Sequence, residues 1–210
     1  MGDLYPFNPG VGQTIQSEVK VENPDMSFIA HLEWSAAEAA TADIDAVHAA
    51  VTDAGDGTAT TVTTGFTDPP SPRNITATSD DVTGDGLDIK AVQVVVTGTN
   101  INDEVITETL PIFTVNAETT VEGDKAFKTV TQVVIPAMDS PYDVTVSIGF
   151  GDILGIPYER DEIPCVDTFL NSVLESTAAT IVAHITNIEN NTIDLHSSLN
   201  GSKVDTYILV

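Results

Sequence analysis

Asp88-Ile89-Lys90-Ala91-Val92-Gln93-Val94-Val95-Val96-Thr97-Gly98-Thr99-Asn100, followed shortly by Glu104-Val105-Ile106-Thr107-Glu108-Thr109-Leu110, is the passage that decides the fold. Its first half carries Ile89, Ala91, Val92, Val94 and Val96 in a β-branched run that stops at a Thr-Gly-Thr-Asn turn. Such a run, bounded by turn residues, reads as a buried strand. Its second half alternates, with Val105, Thr107 and Thr109 on one side and Glu104, Ile106, Glu108 and Leu110 on the other. A period of two places those sets on opposite faces of a strand.

The same grammar extends in both directions. Upstream, Ala42, Ile44, Ala46 and His48 alternate before the turn Asp53-Ala54-Gly55-Asp56-Gly57, and Thr58 to Thr64 is dense in Thr and Val. Ala36-Ala37-Glu38-Ala39-Ala40 alone favours a helical turn. Behind Pro69-Pro70-Ser71-Pro72 comes a short strand, Asn74 to Thr78. Downstream, Ala126 to Ile135 and Tyr142 to Phe150 read as strands, each closed by Pro or Gly, and Gly149-Phe150-Gly151 through Ile156-Pro157-Tyr158 ends the series. Beyond Pro157, strands are expected at Val166 to Leu174, Thr180 to Thr186, Thr192 to His196 and Val204 to Val210, with hairpin turns at Asn190-Asn191 and Asn200-Gly201. Turns every 8–12 residues and no intervening amphipathic helices predict an all-β chain: a β-sandwich or jelly-roll-like body with additional C-terminal β-hairpins and an N-terminal arm. The expected division is 1–24 arm, 25–157 main sandwich, and 158–210 C-terminal strands packing on or beside it.

Charge narrows the function. Against 32 Asp+Glu stand 7 Lys+Arg, a formal net of −25, spread along the chain and not gathered in a tail. Nucleic-acid binding needs clustered Lys and Arg to displace counterions, so no nucleic-acid partner is expected. Self-repulsion of this size destabilises a compact state unless salt screens it, which favours a salt-loaded, halophilic medium over the alternative, an ordinary acidic surface protein from a low-salt organism. No apolar run reaches the roughly 18 residues needed to cross a bilayer, and the start Met1-Gly2-Asp3-Leu4-Tyr5-Pro6 lacks the basic and apolar regions of a secretory signal. The expectation is no membrane partner and a protein soluble in the host cytoplasm before assembly.

Motifs of catalysis are wanting. His31, His48, His184 and His196 have no metal-binding spacing, Cys165 is the sole cysteine, and there is no nucleophile elbow, phosphate loop or dinucleotide fingerprint. The expectation is a non-enzymatic protein with no organic cofactor. One acidic turn, Asp80-Asp81-Val82-Thr83-Gly84-Asp85-Gly86, alternates oxygen ligands at Asp81, Thr83 and Asp85 in the manner of a calcium loop. Val92 stands where such a loop closes on a bidentate Glu, so a structural Ca²⁺ or other cation there competes with an ordinary solvated hairpin turn. In the arm, Tyr5 and Phe7 with the short alternating piece Ile15 to Val21 are candidate anchors for strand addition to a partner. Asn74, Asn190 and Asn200 head sequons, a frequency close to chance in a chain this rich in Asn and Thr.

Several stretches also carry a family likeness. They are Ile44-Asp45-Ala46-Val47-His48-Ala49-Ala50-Val51, Pro69-Pro70-Ser71-Pro72-Arg73-Asn74-Ile75-Thr76, Val96-Thr97-Gly98-Thr99-Asn100, Asp103-Glu104-Val105-Ile106-Thr107-Glu108-Thr109-Leu110-Pro111, Lys125-Ala126-Phe127-Lys128-Thr129 and Ile148-Gly149-Phe150-Gly151-Asp152-Ile153-Leu154-Gly155-Ile156-Pro157. Together they resemble virion structural proteins of tailed phages and of halophilic archaeal tailed viruses. The acidic residues Asp80, Asp81 and Asp139 are where this chain departs from that pattern. The resemblance implies a particle component and does not by itself say head, neck or tail. The compact β body, the turn-rich N-terminal arm and the lack of catalytic motifs then lead to the expectation of a capsid decoration (cement) protein on the outer capsid surface of the virion, binding the major capsid protein as a homo-oligomer, a trimer by preference. The alternatives are a tail or vertex/turret component or, in a different class, a calcium-dependent surface adhesion or carbohydrate-binding module.

Overall fold

The computed structural model describes residues 28–53, 57–82, 84, 88–138 and 144–210. The arm 1–24, with Tyr5, Phe7 and Ile15, lies outside the described residues, as do Thr83 and Asp85. In chain order the first strands are β1 (Ile29–Trp34), β2 (Asp43–Thr52), β3 (Thr60–Val62), β4 (Arg73–Asp81), β5 (Val95–Thr99), β6 (Val105–Thr109) and β7 (Thr120–Glu122). They are followed by β8 (Thr129–Ile135), β9 (Val144–Gly155), β10 (Cys165–Leu170), β11 (Val173–Leu174), β12 (Thr180–Val182), β13 (Thr192–Asp194) and β14 (Val204–Leu209).

The all-β, sandwich-like architecture expected from the periodicity is what the chain adopts. A central sheet in the order β12-β13-β9-β4-β7, with β2 also on β9, faces a smaller sheet, β3-β8-β5-β6. Between them lies the larger core. Val47, Ile75, Ala77, Val146, Ile148 and Phe150 enter it from the central sheet, and Val96, Ile106, Val130, Val133 and Ile135 from the other. A third sheet, β1-β14-β10-β11, encloses a second core in which Leu32, Trp34, Leu170, Val204 and Ile208 meet Leu154, Ile156 and Ile193.

The long strand β9 belongs to both cores. One of its edges pairs with β4; the other is divided between β2, along Thr145 to Phe150, and β13, at Leu154 and Gly155. The glycines expected to end this strand lie inside it. A Cβ on Gly149 would collide with the backbone of Asp43 and Ile44, and one on Gly151 with the side chain of Asn74. Their role is close approach, not termination.

Other local expectations change for identifiable reasons. Only Val95–Thr99 of the Asp88–Gly98 run is a regular strand. Pro111 offers no N–H to continue the ladder, so residues 89–94 run beside 110–116 through scattered bonds such as Phe113 N to Val92 O, 3.0 Å. Those residues keep the predicted burial, Ile89 and Val94 being fully enclosed. Val166–Leu174 is not one strand but the hairpin β10–β11, turning at Asn171 and Ser172 with φ of 53° and 62°. Positive φ at both positions is the primed-turn geometry of a two-residue hairpin. Asn190-Asn191 does lie in the connection between the paired strands β12 and β13. Asn200-Gly201 does not make a hairpin, because β13 and β14 sit in different sheets and the Gly201 N–H instead reaches Ala39 O.

The Ala-rich segment forms a single helical turn between β1 and β2, closed by Ala39 N to Ser35 O at 2.8 Å. Ser35 and Glu38 cap it reciprocally: Glu38 Oε2 accepts from the Ser35 amide and hydroxyl. The segments either side of Pro157 are interlocked by hydrogen bonds, since β1 pairs along its whole length with β14 (Ile29 opposite Leu209, Trp34 opposite Val204).

Candidate functional site

β14 alternates strictly, with Val204, Thr206 and Ile208 buried and Asp205, Tyr207 and Leu209 turned to the outer face of the C-terminal sheet. Register fills out that face. His31 and Asp167 lie beside Tyr207, Glu33 and Phe169 beside Asp205, Ile29 beside Leu209, and Leu174 beyond Phe169. The His31 ring stacks on Tyr207 with centroids 4.6 Å apart, and Phe169 meets Tyr207 edge-on at 6.2 Å. At the ends of the row Ile29 and Leu174 are 66% and 54% exposed. In a chain with 6% aromatic residues, this is an apolar and aromatic row on one sheet face, half-buried at Phe169 and Tyr207 and exposed at its two ends.

Charges rim the row. Lys203 Nζ lies 2.9 Å from Glu33 and 3.1 Å from Asp205, and His31 Nε2 lies 2.7 Å from the same Asp205 oxygen. Desolvation would raise the Asp205 pKa, but hydrogen bonds from Lys203 and His31 outweigh it and hold the carboxyl below its ordinary value. Glu33, then Asp205, hold the Lys203 ammonium above its own. His31, Glu33 and Asp205 bring their ligand atoms within 4.8 Å of one another, a spacing a metal could use. Lys203 already contacts both carboxylates, so the grouping is better described as an ion-pair network than a metal centre.

A second concavity of about 370 Å³ opens on the outer face of the central sheet. Its floor is Thr78, Asp80, Thr145 and Ser147, from β4 and β9. One wall is Ile44 and Asp45, where β2 slips register between Asp43 and His48 and stands away from β9. Glu118, Thr119 and Thr120 form the other. Asp43 raises the Asp45 pKa, first as hydrogen-bond partner and then as neighbouring charge. The hydroxyls pair among themselves, as in Thr78 with Thr120 at 2.8 Å, and among the described residues the lining contains no His, Lys, Arg or Cys to set up a nucleophile and its base. Its chemistry is that of an oxygen-rich, negatively charged trough.

Of the residues expected to bind a cation, Asp81 is described: it is 4% exposed at the end of β4, with Gly84 N donating to its Oδ1 at 3.2 Å. The histidines stay apart. His48 Nδ1 lies 2.7 Å from Ala49 O, and His184 Nδ1 accepts from the amides of Thr186 and Asn187 as a loop cap. The Asn74 sequon is sealed, its side chain being fully buried and accepting from Ile153 N at 3.1 Å. Sequence reasoning did not find the His31–Tyr207–Phe169 row, because its members are far apart in the chain and each sits in an ordinary alternating strand. Among the described residues no helix is long and apolar enough to cross a membrane. The chain matches no family model, no curated protein and no solved structure.

Proposed function

We propose that this chain is a non-enzymatic structural component of a tailed-virus particle, a decoration protein that binds the outer face of the capsid shell as a homo-oligomer, with a trimer favoured. The observation that carries the reading is the apolar row Ile29–Tyr207–Phe169–Leu174 on the outer face of the C-terminal sheet. An exposed apolar row rimmed by charge is the anatomy of a protein-binding face. β1 lies at the edge of that sheet, and strand addition through Tyr5, Phe7 and Ile15 of the arm is a second contact that belongs to this reading. With a net charge of −25, the complementary shell surface is apolar with basic residues at its rim.

Cryo-electron microscopy of purified particles tests the reading directly. Density on the outer shell at threefold or quasi-threefold positions is the expected result. Density in the tail or at a vertex would replace decoration by the tail or turret alternative, and absence from particles would return the question to a calcium-dependent adhesion module. In parallel, Leu174→Asp is expected to fold with an unchanged melting temperature and to be lost from particles; normal incorporation would move the contact elsewhere.

A further inference from the structure

On the outer face of the central sheet, acidic side chains gather where no basic one answers them. Thr78 pairs with Thr120, and Ser79 N donates to Thr119 O at 3.0 Å, so the register carries on to set Glu118 opposite Asp80. Like charges directly opposite each other on one sheet face are destabilising. On the other wall of the trough Asp45 stands beside Asp43, whose hydrogen bond and charge hold the Asp45 carboxyl above its ordinary value. Among the described residues the lining holds these three carboxylates and no Lys, Arg or His.

A second observation comes from β9. Val146 and Ile148 point into the larger core, so Ser147 between them points the other way, into the floor of the trough. It is recessed there, only 8% exposed, and its hydroxyl has no hydrogen-bond partner among the described residues. A buried hydroxyl is ordinarily paired. One that opens on a polar concavity of about 370 Å³ is free to accept from a bound molecule.

The spread of the charges selects the ligand. β2 and β4 flank β9, so Asp45 and Asp80 lie two strands apart, roughly 10 Å, with Glu118 one strand further. That is wider than the ligand sphere of one metal ion, whose oxygen contacts are about 2.4 Å long. An extended chain carrying several ammonium groups can meet all three carboxylates. Its methylenes can lie on Ala50 and on Ile44, which is 52% exposed on the β2 wall. We propose that the trough binds a linear aliphatic polyamine, with ammonium groups on Asp45, Asp80 and Glu118 and one N–H donated to the Ser147 hydroxyl. The site lies apart from the apolar row of the C-terminal sheet and does not depend on the capsid reading.

The test is spermidine titrated into the full chain at fixed ionic strength, read by calorimetry, with butylamine as the singly charged probe. The parallel proteins are Ser147→Ala, Asp80→Asn and, as a control, Glu159→Gln, which is exposed beyond the far end of β9. The expected result is saturable binding of about one spermidine per chain, with butylamine at least tenfold weaker. Asp80→Asn should weaken spermidine at least tenfold and Ser147→Ala at least threefold, although the latter removes no charge; the control should match the wild type. No saturable binding to the wild type would overturn the site. So would equal affinity in all four proteins, the result of diffuse attraction to an acidic surface. Butylamine binding as tightly as spermidine would overturn the polyamine assignment in favour of a single ammonium such as a lysine side chain. Should Asp80→Asn not fold, Glu118→Gln carries the same comparison.

Discussion

The guanidinium of Arg73 lies 4.5 Å from the centroid of the Phe150 ring, with its side chain fully buried where the two cores meet. Nη1 donates to Ala40 O at 2.7 Å, Nη2 donates to Gly151 O, and Asp152 Oδ1 stands 3.6 Å away. Burial pulls its pKa down to about 10, with Asp152 opposing, so the group stays charged at neutral pH. One side chain thereby ties the helical turn before β2 to β4 and β9. The cation–π contact and the two carbonyls supply the compensation a buried charge needs.

Arg73→Ala is therefore expected to cost on the order of 3 kcal/mol or more, because it leaves the carbonyls of Ala40 and Gly151 without their donor and Asp152 without its neighbouring positive charge. Arg73→Lys should recover only part of this, since an ammonium cannot serve both carbonyls and lie flat on the ring. Urea unfolding of the three proteins measures it. A loss below about 1 kcal/mol for Arg73→Ala would show that the two cores hold together without this contact.

Glu108 leads to a pH prediction. Its Oε1 accepts from the amides of Asp124 at 2.7 Å and Lys125 at 3.2 Å, yet burial dominates and raises its pKa above the ordinary 4.5. A folded-state pKa above the unfolded one gives stability that is complete below pH 4.5 and lost as pH rises through the folded value. Glu108→Gln copies the protonated form. Relative to the wild type it should be neutral at low pH and gain melting temperature as pH climbs towards 7. Calorimetry from pH 4 to 7 would contradict this if the wild type is the more stable at pH 7.

Salt should act on the whole molecule. The described ion pairs between exposed groups, such as Lys128 with Asp103 at 2.7 Å, lose little on screening. The net charge of −25 gains much more. Between 0.05 M and 2 M KCl the melting temperature is expected to rise by roughly 5–10 °C, a few kcal/mol for a domain of this size. A flat response would remove the argument for a salt-loaded medium.

Legibility in the sequence followed the range of the forces involved. The alternation of Val105, Ile106 and Thr107 declared a strand half in water, and Ile106 is indeed buried while Val105 is 77% exposed. Tyr207-Ile208-Leu209-Val210 read as a paired strand, and β14 proves to be the central member of its pairing, between β1 and β10. Where a single residue changed the ladder, the reading slipped. Pro111 cut short a strand that hydrophobicity alone prolonged, Asn171-Ser172 turned one that Val and Leu continued, and the glycines of β9 read as breakers until the backbone of β2 was seen lying on Gly149.

By itself, then, the amino-acid sequence determined the all-β class, the burial of the apolar positions and the acidic surface, since these follow from periods of two and from charge counts, which are local or additive. Only the tertiary structure decided which strands became neighbours. β1 beside β14 stacks His31 on Tyr207, and β2 and β4 either side of β9 set Asp45, Asp80 and Ser147 around one trough. Such pairings are set by which apolar faces bury each other most completely across long loops, and that competition is settled over the whole chain at once.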